Sequence, residues 1–556
     1  MKRSTSSAQF AAFSPLSSFR RSGITAALMV AAAVAATGSA QAGISSGQAS
    51  EIGLTQLWQL NPSLTGQGID VGQAEADASN SSSNGWGYEP NPGAMASKIT
   101  YYSYNPIYSS GTYSLPATGG YSSLYASGHA STVADIFYNG SGSVAPGVAH
   151  VDVFDASSFY DYVLSNNATV ANEPAIVNQS FAFTGASAGQ IFGYNYIYDN
   201  YANLHNTLFV TAVGDGTGTE TGTTPVSEIN APATNYNGIA VGAYGGASGV
   251  GPAYGGISKP DITAPGSATS FTAPIVSGAA AILEQAANAN VGGAGTSTLA
   301  DNERTIKVLL LNGAVKPTGW TNNYNYDSTT GTVTSYLAPT ANATTPLDPR
   351  YGAGIVNVYN SYQELAAGRQ TYTNSTSASG SSIPTPVFTA ASTHLSGWDL
   401  NTITTSSSSA NAANHYVFDL SSTRGSSFGL TATITWNMQT DQTALNNLDL
   451  YLYNSSGQLL ASSTSKVDNV QQIEATLAPG IYDMEVVKLG AAEVSATETY
   501  AMAYNFTGFG QSSIPEPSAL AMLGIGMGIL LVHRRRRPPV DRHEDEDGHR
   551  MKGQHR

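Results

Sequence analysis

Short apolar segments alternate with longer helix-like segments over residues 43–366. The apolar segments are rich in Val, Ile and Phe and have the length of buried strands; they are residues 69–74, 151–154, 175–178, 208–213 and 238–241. The better helix candidates are residues 130–138, 187–203 and 274–287. Alternating strands and helices predict an α/β domain in which a parallel sheet carries helices on both faces.

The pattern changes after the α/β region. Apolar and polar residues alternate with a period of two in 429–436, 448–453 and 482–487, and turn residues occupy 454–457 and 478–480. This pattern predicts an antiparallel β-sandwich domain, jelly-roll-like, over residues 392–510. A Ser/Thr/Pro/Gly-rich linker is predicted at 370–391, which leaves 43–369 to the α/β domain.

Composition excludes several classes of protein. The 556 residues carry a formal net charge of −15, so a nucleic-acid partner is not expected. The chain has no cysteine, which excludes a disulfide framework, thiolate chemistry and cysteine-bound zinc.

The N-terminal segment has the pattern of an export signal. Residues 1–42 contain basic residues, an apolar run over 24–36 and the small-residue site Ala40-Gln41-Ala42. A signal peptide ending at residue 42 is therefore predicted. The pair Arg20-Arg21 also permits a twin-arginine route, although the rest of that motif is weak.

The C-terminal segment carries a second targeting pattern. Ile514-Pro515-Glu516-Pro517 is followed by an apolar stretch over 518–532 and by arginines at 534–537. The apolar stretch is shorter than the ~20 residues that a bilayer span needs. Residues 514–537 resemble the PEP-CTERM sorting signal of Gram-negative bacteria, which implies a short transmembrane segment and processing by an exosortase-type enzyme. A permanent tail anchor is the alternative. No fold is predicted for the polar, charged tail 538–556.

Ser270 lies between a Pro/Gly-rich turn and the small-residue run at 275–281. Its hydroxyl is expected at the N-terminus of a buried helix, where N–H groups and the helix dipole favour negative charge on a neighbouring atom. An attacking serine needs that environment, but a plain helix-capping serine is the alternative. His129 similarly opens a helix-like segment of small residues, and such a histidine is often structural.

Three segments together resemble the subtilisin family of serine peptidases. They are the run from Gly66 to Glu75, Gly128-His129-Ala130-Ser131-Thr132-Val133-Ala134 with Ala145-Pro146-Gly147 after it, and Lys259-Pro260-Asp261 with Thr269-Ser270-Phe271-Thr272-Ala273-Pro274. The family order of acid, histidine and serine differs from that of other triad folds. The resemblance covers about residues 56–365. It implies an endopeptidase that acts on polypeptides through an acyl-enzyme, without an organic cofactor, with Ser270 as nucleophile and His129 as base.

The acid of this triad departs from the family pattern. Glu75 occupies the aspartate position, and a glutamate can also orient a histidine. Asp77 is the rival, because alternate residues of a strand face the same side. For both residues the structural alternative is a charged turn at the end of a strand.

The oxyanion position departs as well, since Asp215 stands where the family has an asparagine. A carboxyl group donates a hydrogen bond only when it is protonated. Because aspartic acid ordinarily ionises well below the pH at which histidine loses its proton, few molecules would hold both groups in the needed form. This predicts either a narrow, acid-shifted pH optimum or slow catalysis.

Residues 176–183 resemble the family strand that pairs with an extended peptide substrate. Ser180, Phe181 and Ala182 are therefore expected to bind substrate, with Phe181 and Phe183 lining or narrowing a pocket. An ordinary buried strand is the alternative. The family's usual inhibitory pro-domain has no room between Gly43 and Gly66.

The second domain offers carboxylates for a structural calcium ion, namely Asp449, Asp468 and Glu474, although solvated turn carboxylates are the favoured alternative. Together the patterns predict an exported serine endopeptidase at the cell surface or in the extracellular matrix, or secreted after processing. One alternative is a catalytically weak or inactive binding protein on the same fold, since Glu75 and Asp215 both depart from the family. A structural surface protein defined by its β-sandwich is another.

Overall fold

The computed structural model describes residues 43–508 except 77, 81–84, 103–107, 110–111, 114–117, 217–223, 226–228, 293–296, 328–331, 378–382, 390, 406–409, 422–426 and 491–493. The predicted signal peptide, the alternative acid Asp77, the sorting signal at 514–537 and the tail lie outside the described residues. In the part of the chain that is described, no helix has the length and hydropathy needed to cross a membrane.

The helices are α1 (Ser46–Glu51), α2 (Leu54–Leu60), α3 (Gly128–Phe137), α4 (Ala156–Ser158), α5 (Ala188–His205), α6 (Thr269–Asn288), α7 (Ser297–Ala300), α8 (Glu303–Asn312) and α9 (Val358–Ala366). The 3-10 turns Gly93–Met95, Leu164–Asn166 and Tyr254–Gly256 and the π-helical turn Phe159–Val163 complete this set.

The strands before residue 366 are β1 (Asp70–Glu75), β2 (Ala78–Asn80), β3 (Gly85–Gly87), β4 (Ile99–Tyr102), β5 (Tyr108–Ser109), β6 (Thr112–Tyr113), β7 (Thr118–Gly119), β8 (His150–Asp155), β9 (Ile176–Gln179), β10 (Leu208–Ala212), β11 (Thr224–Pro225), β12 (Ile239–Tyr244), β13 (Ile262–Pro265), β14 (Tyr324–Asp327), β15 (Thr332–Tyr336) and β16 (Asn342–Ala343). The later strands are β17 (Thr373–Thr376), β18 (Ser396–Thr404), β19 (Ala412–Asp419), β20 (Phe428–Trp436), β21 (Leu448–Asn454), β22 (Leu459–Ser463), β23 (Val470–Leu477), β24 (Ile481–Lys488) and β25 (Thr497–Thr507).

The main sheet has the strand order β13-β12-β10-β9-β1-β8-β4-β7. Its strands are parallel except β7, which runs antiparallel to β4 at the edge. Strand β1 lies inside the sheet between β8 and β9. Because parallel strands end at the same edge, the C-terminal ends of β1, β9 and β10 lie side by side, which is where α/β folds place their sites.

Helices pack on both faces of this sheet. Successive strand residues alternate between two cores: Ile176 and Val210 join the core that contains α3 and α6, whereas Val177 and Phe209 join the aromatic core that contains α5. This alternation follows from the period of two in a strand. The predicted parallel sheet with helices on both faces is therefore confirmed.

Helix α6 lies deep in the first core, and its run of small residues has a steric reason. Residues 275–281 are fully buried or nearly so. A Cβ added at Gly278 would lie 2.5 Å from the Cβ of Val144, in the segment after α3. The close approach therefore requires glycine, and it fixes α6 beside α3, which brings their N-terminal residues into one region of the molecule.

The C-terminal part is a sandwich of two sheets, with strand orders β16-β22-β21-β24-β19-β17 and β18-β25-β20-β23. Apart from the short parallel pair β16 and β22, its strands pair antiparallel. Trp398 and Trp436 are buried. The antiparallel architecture predicted after the α/β region is confirmed. Strand β17 comes from the segment predicted as a linker, and β16 comes from the α/β part.

The sandwich and the α/β part form one compact unit. Asp468 of the sandwich accepts hydrogen bonds from the backbone N–H of Ser258 at 2.6 Å and from its hydroxyl at 2.9 Å. At the start of the second part, Arg369 donates to Asp399 at 2.6 Å. Because these contacts involve buried carboxylates, they fix the two parts against each other rather than merely connecting them.

Candidate active site

The end of β1 supplies a buried carboxylate. Glu75 is the last residue of β1, and its side chain is 1% exposed. Its Oε2 lies 2.9 Å from Nδ1 of His129. A buried carboxylate beside one imidazole nitrogen fixes the ring and directs the other nitrogen, Nε2, away from the acid.

A second contact on Glu75 was not foreseen from the sequence. Gln73 Nε2 donates to Glu75 Oε1 at 2.8 Å and to the carbonyl oxygen of Ala130 at 3.0 Å. Tyr138 in turn donates from its hydroxyl to Gln73 Oε1 at 2.6 Å. The chain Tyr138–Gln73–Glu75–His129 is therefore continuous, and burial strengthens each of its hydrogen bonds. The sequence did carry one signal, since Gln73 precedes Glu75 by two residues and shares its face of β1.

The start of α3 positions His129. The helix is capped by Ser127, whose hydroxyl accepts a hydrogen bond from the N–H of Ala130 at 3.1 Å. The His129 side chain is 20% exposed, so one edge of the ring is open to a ligand. Burial of the ring lowers the pKa of His129, but the charge and hydrogen bond of Glu75, together with the charge of Asp215, raise it, and the net direction is upward.

The start of α6 supplies the predicted nucleophile. Ser270 is the second residue of α6, after the N-cap Ala268 and Thr269, so it is not itself the N-cap. The ring of the next residue, Phe271, packs on the His129 ring at a centroid distance of 5.6 Å. Among the described residues, no hydrogen bond joins the Ser270 hydroxyl to His129. Such bonds are often long in ligand-free enzymes and shorten when substrate binds.

Asp215 lies against the same helix start. Its Oδ1 accepts hydrogen bonds of 2.7 Å from both the backbone N–H and the hydroxyl of Thr269, the residue before Ser270. The carboxyl group is therefore anchored at the N-terminus of α6, where the helix dipole favours negative charge. The sequence placed Asp215 near the oxyanion, but it gave no sign of the bond to Thr269.

The residues predicted to bind substrate have mixed surroundings. The hydroxyl of Ser180 donates to the carbonyl oxygen of Ser270 at 2.8 Å and accepts from Asn178 Nδ2 at 3.0 Å. Phe181 is 5% exposed and packs edge-on against Phe183 in the core that contains α5. Ala182 is half-buried. The Ser180 hydroxyl thus supports the start of α6, and the two phenylalanines belong to the core rather than to an open pocket.

The structure does not bring the three predicted calcium ligands together. Asp468 bonds to Ser258, Asp449 accepts from the Tyr451 hydroxyl at 2.8 Å, and Glu474 pairs with Lys316 at 2.9 Å. Among the described residues, the group of His, Asp and Glu side chains that converges on one point lies elsewhere in the sandwich. These three carboxylates do not converge on one point, because each one contacts a different neighbour.

Two models of known protein families match parts of the chain. The model described as "Subtilase family" matches residues 109–354, a range that includes His129, Asp215 and Ser270. Glu75 precedes the matched range. A second model, the PEP-CTERM protein-sorting motif, matches residues 513–537. No curated protein matches the chain.

Several solved structures are similar to the chain at low identity. The serine protease of Aeromonas sobria is 14% identical, with 80% of this chain and 89% of that chain covered and a TM-score of 0.35. The CspB protease of Clostridium perfringens is 15% identical, with 58% and 98% covered and a TM-score of 0.38. A lanthipeptide protease is 12% identical, with 57% and 93% covered and a TM-score of 0.35.

The family assignment therefore rests on the matched segment and on the architecture around it. The matched range contains the helix starts at His129 and Ser270, and the parallel sheet with helices on both faces surrounds them. Residues 109–354 match the model of the subtilase family, and this match supports a serine-type peptidase.

Proposed function

We propose that the protein is an exported serine endopeptidase whose catalytic residues are Ser270, His129 and Glu75, with Asp215 beside the oxyanion. The observation that carries this proposal is the 2.9 Å contact between buried Glu75 and His129 Nδ1. A histidine held in this way, beside the N-terminus of a helix with a serine as its second residue, is an arrangement suited to acyl transfer.

The reaction starts with proton transfer from the Ser270 hydroxyl. With Nδ1–H donated to Glu75, the neutral ring has its lone pair on Nε2, which accepts the proton as Oγ attacks the carbonyl carbon of the peptide. His129 then gives that proton to the leaving amine as the carbon–nitrogen bond breaks. A water molecule attacks the resulting ester by the same route, and Ser270 is released.

The N-terminus of α6 stabilises the charge that develops on the substrate oxygen. The first N–H groups of a helix have no partner within the helix, so the N–H of Ser270 can donate to the oxyanion. Asp215 is the second candidate donor. Since Oδ1 already accepts from Thr269, a proton on Oδ2 is what would make Asp215 a donor.

The charge state of this site opposes fast catalysis at neutral pH. His129 acts as a base only when it is neutral, and its raised pKa moves that form to higher pH. Asp215 donates only in its protonated form, which lower pH favours. The pH ranges in which His129 is neutral and Asp215 is protonated therefore overlap little. We expect a low rate and a narrow pH optimum, which lies at lower pH than the optimum of Asp215→Asn.

The substrate proposed is an extended polypeptide that lies along the edge near Ser180, Phe181 and Ala182, where backbone groups would pair with it as an added strand. The motif matched at 513–537 supports export and handling by an exosortase-type enzyme at the cell surface of a Gram-negative bacterium. The membrane would be contacted through that C-terminal segment before processing.

Labelling with a fluorophosphonate probe tests the nucleophile directly. We expect the wild-type protein to form an adduct that is absent from Ser270→Ala. The adduct should be present in Ser277→Ala, because Ser277 is a buried serine further along α6. Mass spectrometry of the labelled peptide locates the modified residue.

The same experiment separates the peptidase from a binding protein on this fold. A correctly folded wild-type protein that forms no adduct between about pH 4 and 9 contradicts the proposal and favours an inactive binding protein. An adduct that persists in Ser270→Ala assigns the nucleophile to another residue.

A further inference from the structure

A buried polar cluster lies in the sandwich, away from the proposed active site. His415 is on β19, and Asp483 and Glu485 are on the adjacent strand β24. His415 is directly opposite Glu485 in the antiparallel pairing, and Asp483 is two residues from Glu485 on the same face. All three side chains are 0% exposed.

The ligand atoms of this cluster converge. His415 Nδ1 lies 2.8 Å from Asp483 Oδ2 and 3.6 Å from Glu485 Oε1. One ligand atom from each residue can be chosen so that all lie within 4.8 Å of one another. Ligands held tetrahedrally about 2.1 Å from an ion lie about 3.4 Å from one another, so shifts of about 1 Å between the ligand atoms would close the site.

The carboxylates of the cluster lack the partners that buried charges require. Neither oxygen of Glu485 has a hydrogen-bond partner in the described residues, and the same is true of Asp483 Oδ1. No lysine or arginine of the described chain forms an ion pair with either carboxylate. Buried carboxylates without cationic partners are strongly disfavoured unless they bind a proton or a metal ion.

Neighbouring residues outside the cluster hold His415 and Asp483 in place through hydrogen bonds. His415 Nε2 is 2.6 Å from the hydroxyl of Ser375, so the remote nitrogen has a fixed partner and Nδ1 faces the carboxylates. Asp483 Oδ2 accepts from the backbone N–H of Val387 at 2.7 Å. Metal-binding histidines and carboxylates are oriented by such outer contacts.

We propose that His415, Asp483 and Glu485 bind a divalent transition-metal ion such as Zn²⁺ or Mn²⁺ inside the β-sandwich. Two carboxylates and a neutral imidazole leave two negative charges, which a divalent ion balances. The imidazole distinguishes the site from calcium and magnesium sites, which use oxygen ligands. The ion would join β19 to β24, so its binding free energy would add to the stability of the sandwich.

A shared proton is the competing explanation for the same cluster. Burial, together with the charge of Asp483, raises the pKa of Glu485 to about 9 in the absence of an ion. A protonated Glu485 would then donate to Asp483 and need no metal. The two explanations differ in what the wild-type protein binds, which can be measured.

Metal titration of metal-free, full-length protein tests the proposal. We expect wild type to bind one equivalent of Zn²⁺ or Mn²⁺ that raises its melting temperature, and Glu485→Gln to bind that equivalent at least about 100-fold more weakly, since loss of an outer contact alone costs 10–100-fold. Glu474→Gln is the matched control, because Glu474 lies in the same sandwich but pairs with Lys316. Histidines elsewhere, including those near the C-terminus, are common to all three proteins.

X-ray absorption of the zinc-loaded wild type gives a readout that does not depend on a variant folding. We expect one imidazole nitrogen and otherwise oxygen ligands. The proposal is overturned if wild type binds no such equivalent, if Glu485→Gln binds it as tightly as wild type, if only Ca²⁺ binds, or if the spectrum shows two or more imidazoles. Activity at Ser270 plays no part in these measurements, so they are independent of the proposed function.

Discussion

Gln73 lies two residues before Glu75 on the same face of β1 and donates a hydrogen bond of 2.8 Å to its carboxylate. Glu75 thus has one oxygen bound by Gln73 and the other by His129. A glutamate has one more rotatable bond than an aspartate, so a second anchor is needed to fix its position. We therefore propose Gln73 as a positioning residue for Glu75, the proposed acid of the triad.

Replacing Gln73 by leucine tests this assignment. Gln73→Leu removes the anchor of Glu75 and leaves the buried Tyr138 hydroxyl without its acceptor, so we expect unfolding to become easier by about 1–3 kcal/mol. We also expect kcat to fall while KM is nearly unchanged. Urea denaturation and steady-state kinetics measure the two effects. Gln458→Leu, at an exposed turn, is the control, and a normal kcat in Gln73→Leu would contradict the positioning role.

Replacing Glu75 by glutamine tests the acid of the triad. We expect kcat/KM to fall about 10⁴-fold, because the neutral amide favours the wrong tautomer of the histidine. The charge of Glu75 raises the pKa of His129, so its removal lowers that pKa and moves the acidic limb of the pH profile to lower pH.

The pH dependence of kcat/KM measures this shift. Glu75→Asp keeps the charge and should leave the position of that limb closer to wild type, at a reduced rate. An activity of Glu75→Gln within 10-fold of wild type would assign the role to another acid, of which Asp77 is the sequence candidate.

Replacing Asp215 by asparagine tests the oxyanion proposal. An asparagine donates at any pH, so we expect Asp215→Asn to raise kcat by up to about 10²-fold near neutral pH, the range reported by loss of one such donor. The pH profile should broaden toward neutral pH. Thr269→Val is a useful control, since it removes one contact to Asp215 without changing its charge. A fall in activity of Asp215→Asn at every pH would rule out the donor role.

Replacing Asp468 by alanine tests the attachment of the sandwich. Ser258 and Ser465 both donate to this buried carboxylate, so its loss leaves buried donors unpaired at the contact between the two parts. We expect a loss of about 3 kcal/mol in unfolding free energy. Circular dichroism in urea measures it, with Asp419→Ala as the control, since Asp419 is only half-buried and its carboxylate accepts from the nearby N–H of Ser421. An unchanged midpoint would show that this contact contributes little to stability.

The order of elements could be predicted from local sequence patterns. The strand predicted at 208–213 is β10 (Leu208–Ala212), and the helix predicted at 187–203 is α5 (Ala188–His205). Both are long or strongly apolar, so local periodicity is enough to identify them. Boundaries shift by a few residues because the ends of helices depend on caps. The helix predicted from Pro274 begins instead at Thr269.

The contacts within the site could not be predicted in the same way. Register placed Glu75 at the end of its strand, and the structure brings it to His129. The bond from Tyr138 to Gln73 and that from Thr269 to Asp215 join residues far apart in the chain. No local pattern encodes such pairs, since they depend on how the elements pack. For the same reason, the His415 cluster is visible only once β19 and β24 are paired.

The position of β25 determines how the fold resists a mechanical force applied at the C-terminal end of this strand. This strand ends at Thr507 and lies between β18 and β20, hydrogen-bonded to both along much of its length. Tension applied beyond Gly508 would therefore have to break two rows of hydrogen bonds together instead of peeling away an edge. If the protein were tethered at that end, the force needed to pull β25 out of the sheet would depend on its hydrogen bonds to both β18 and β20.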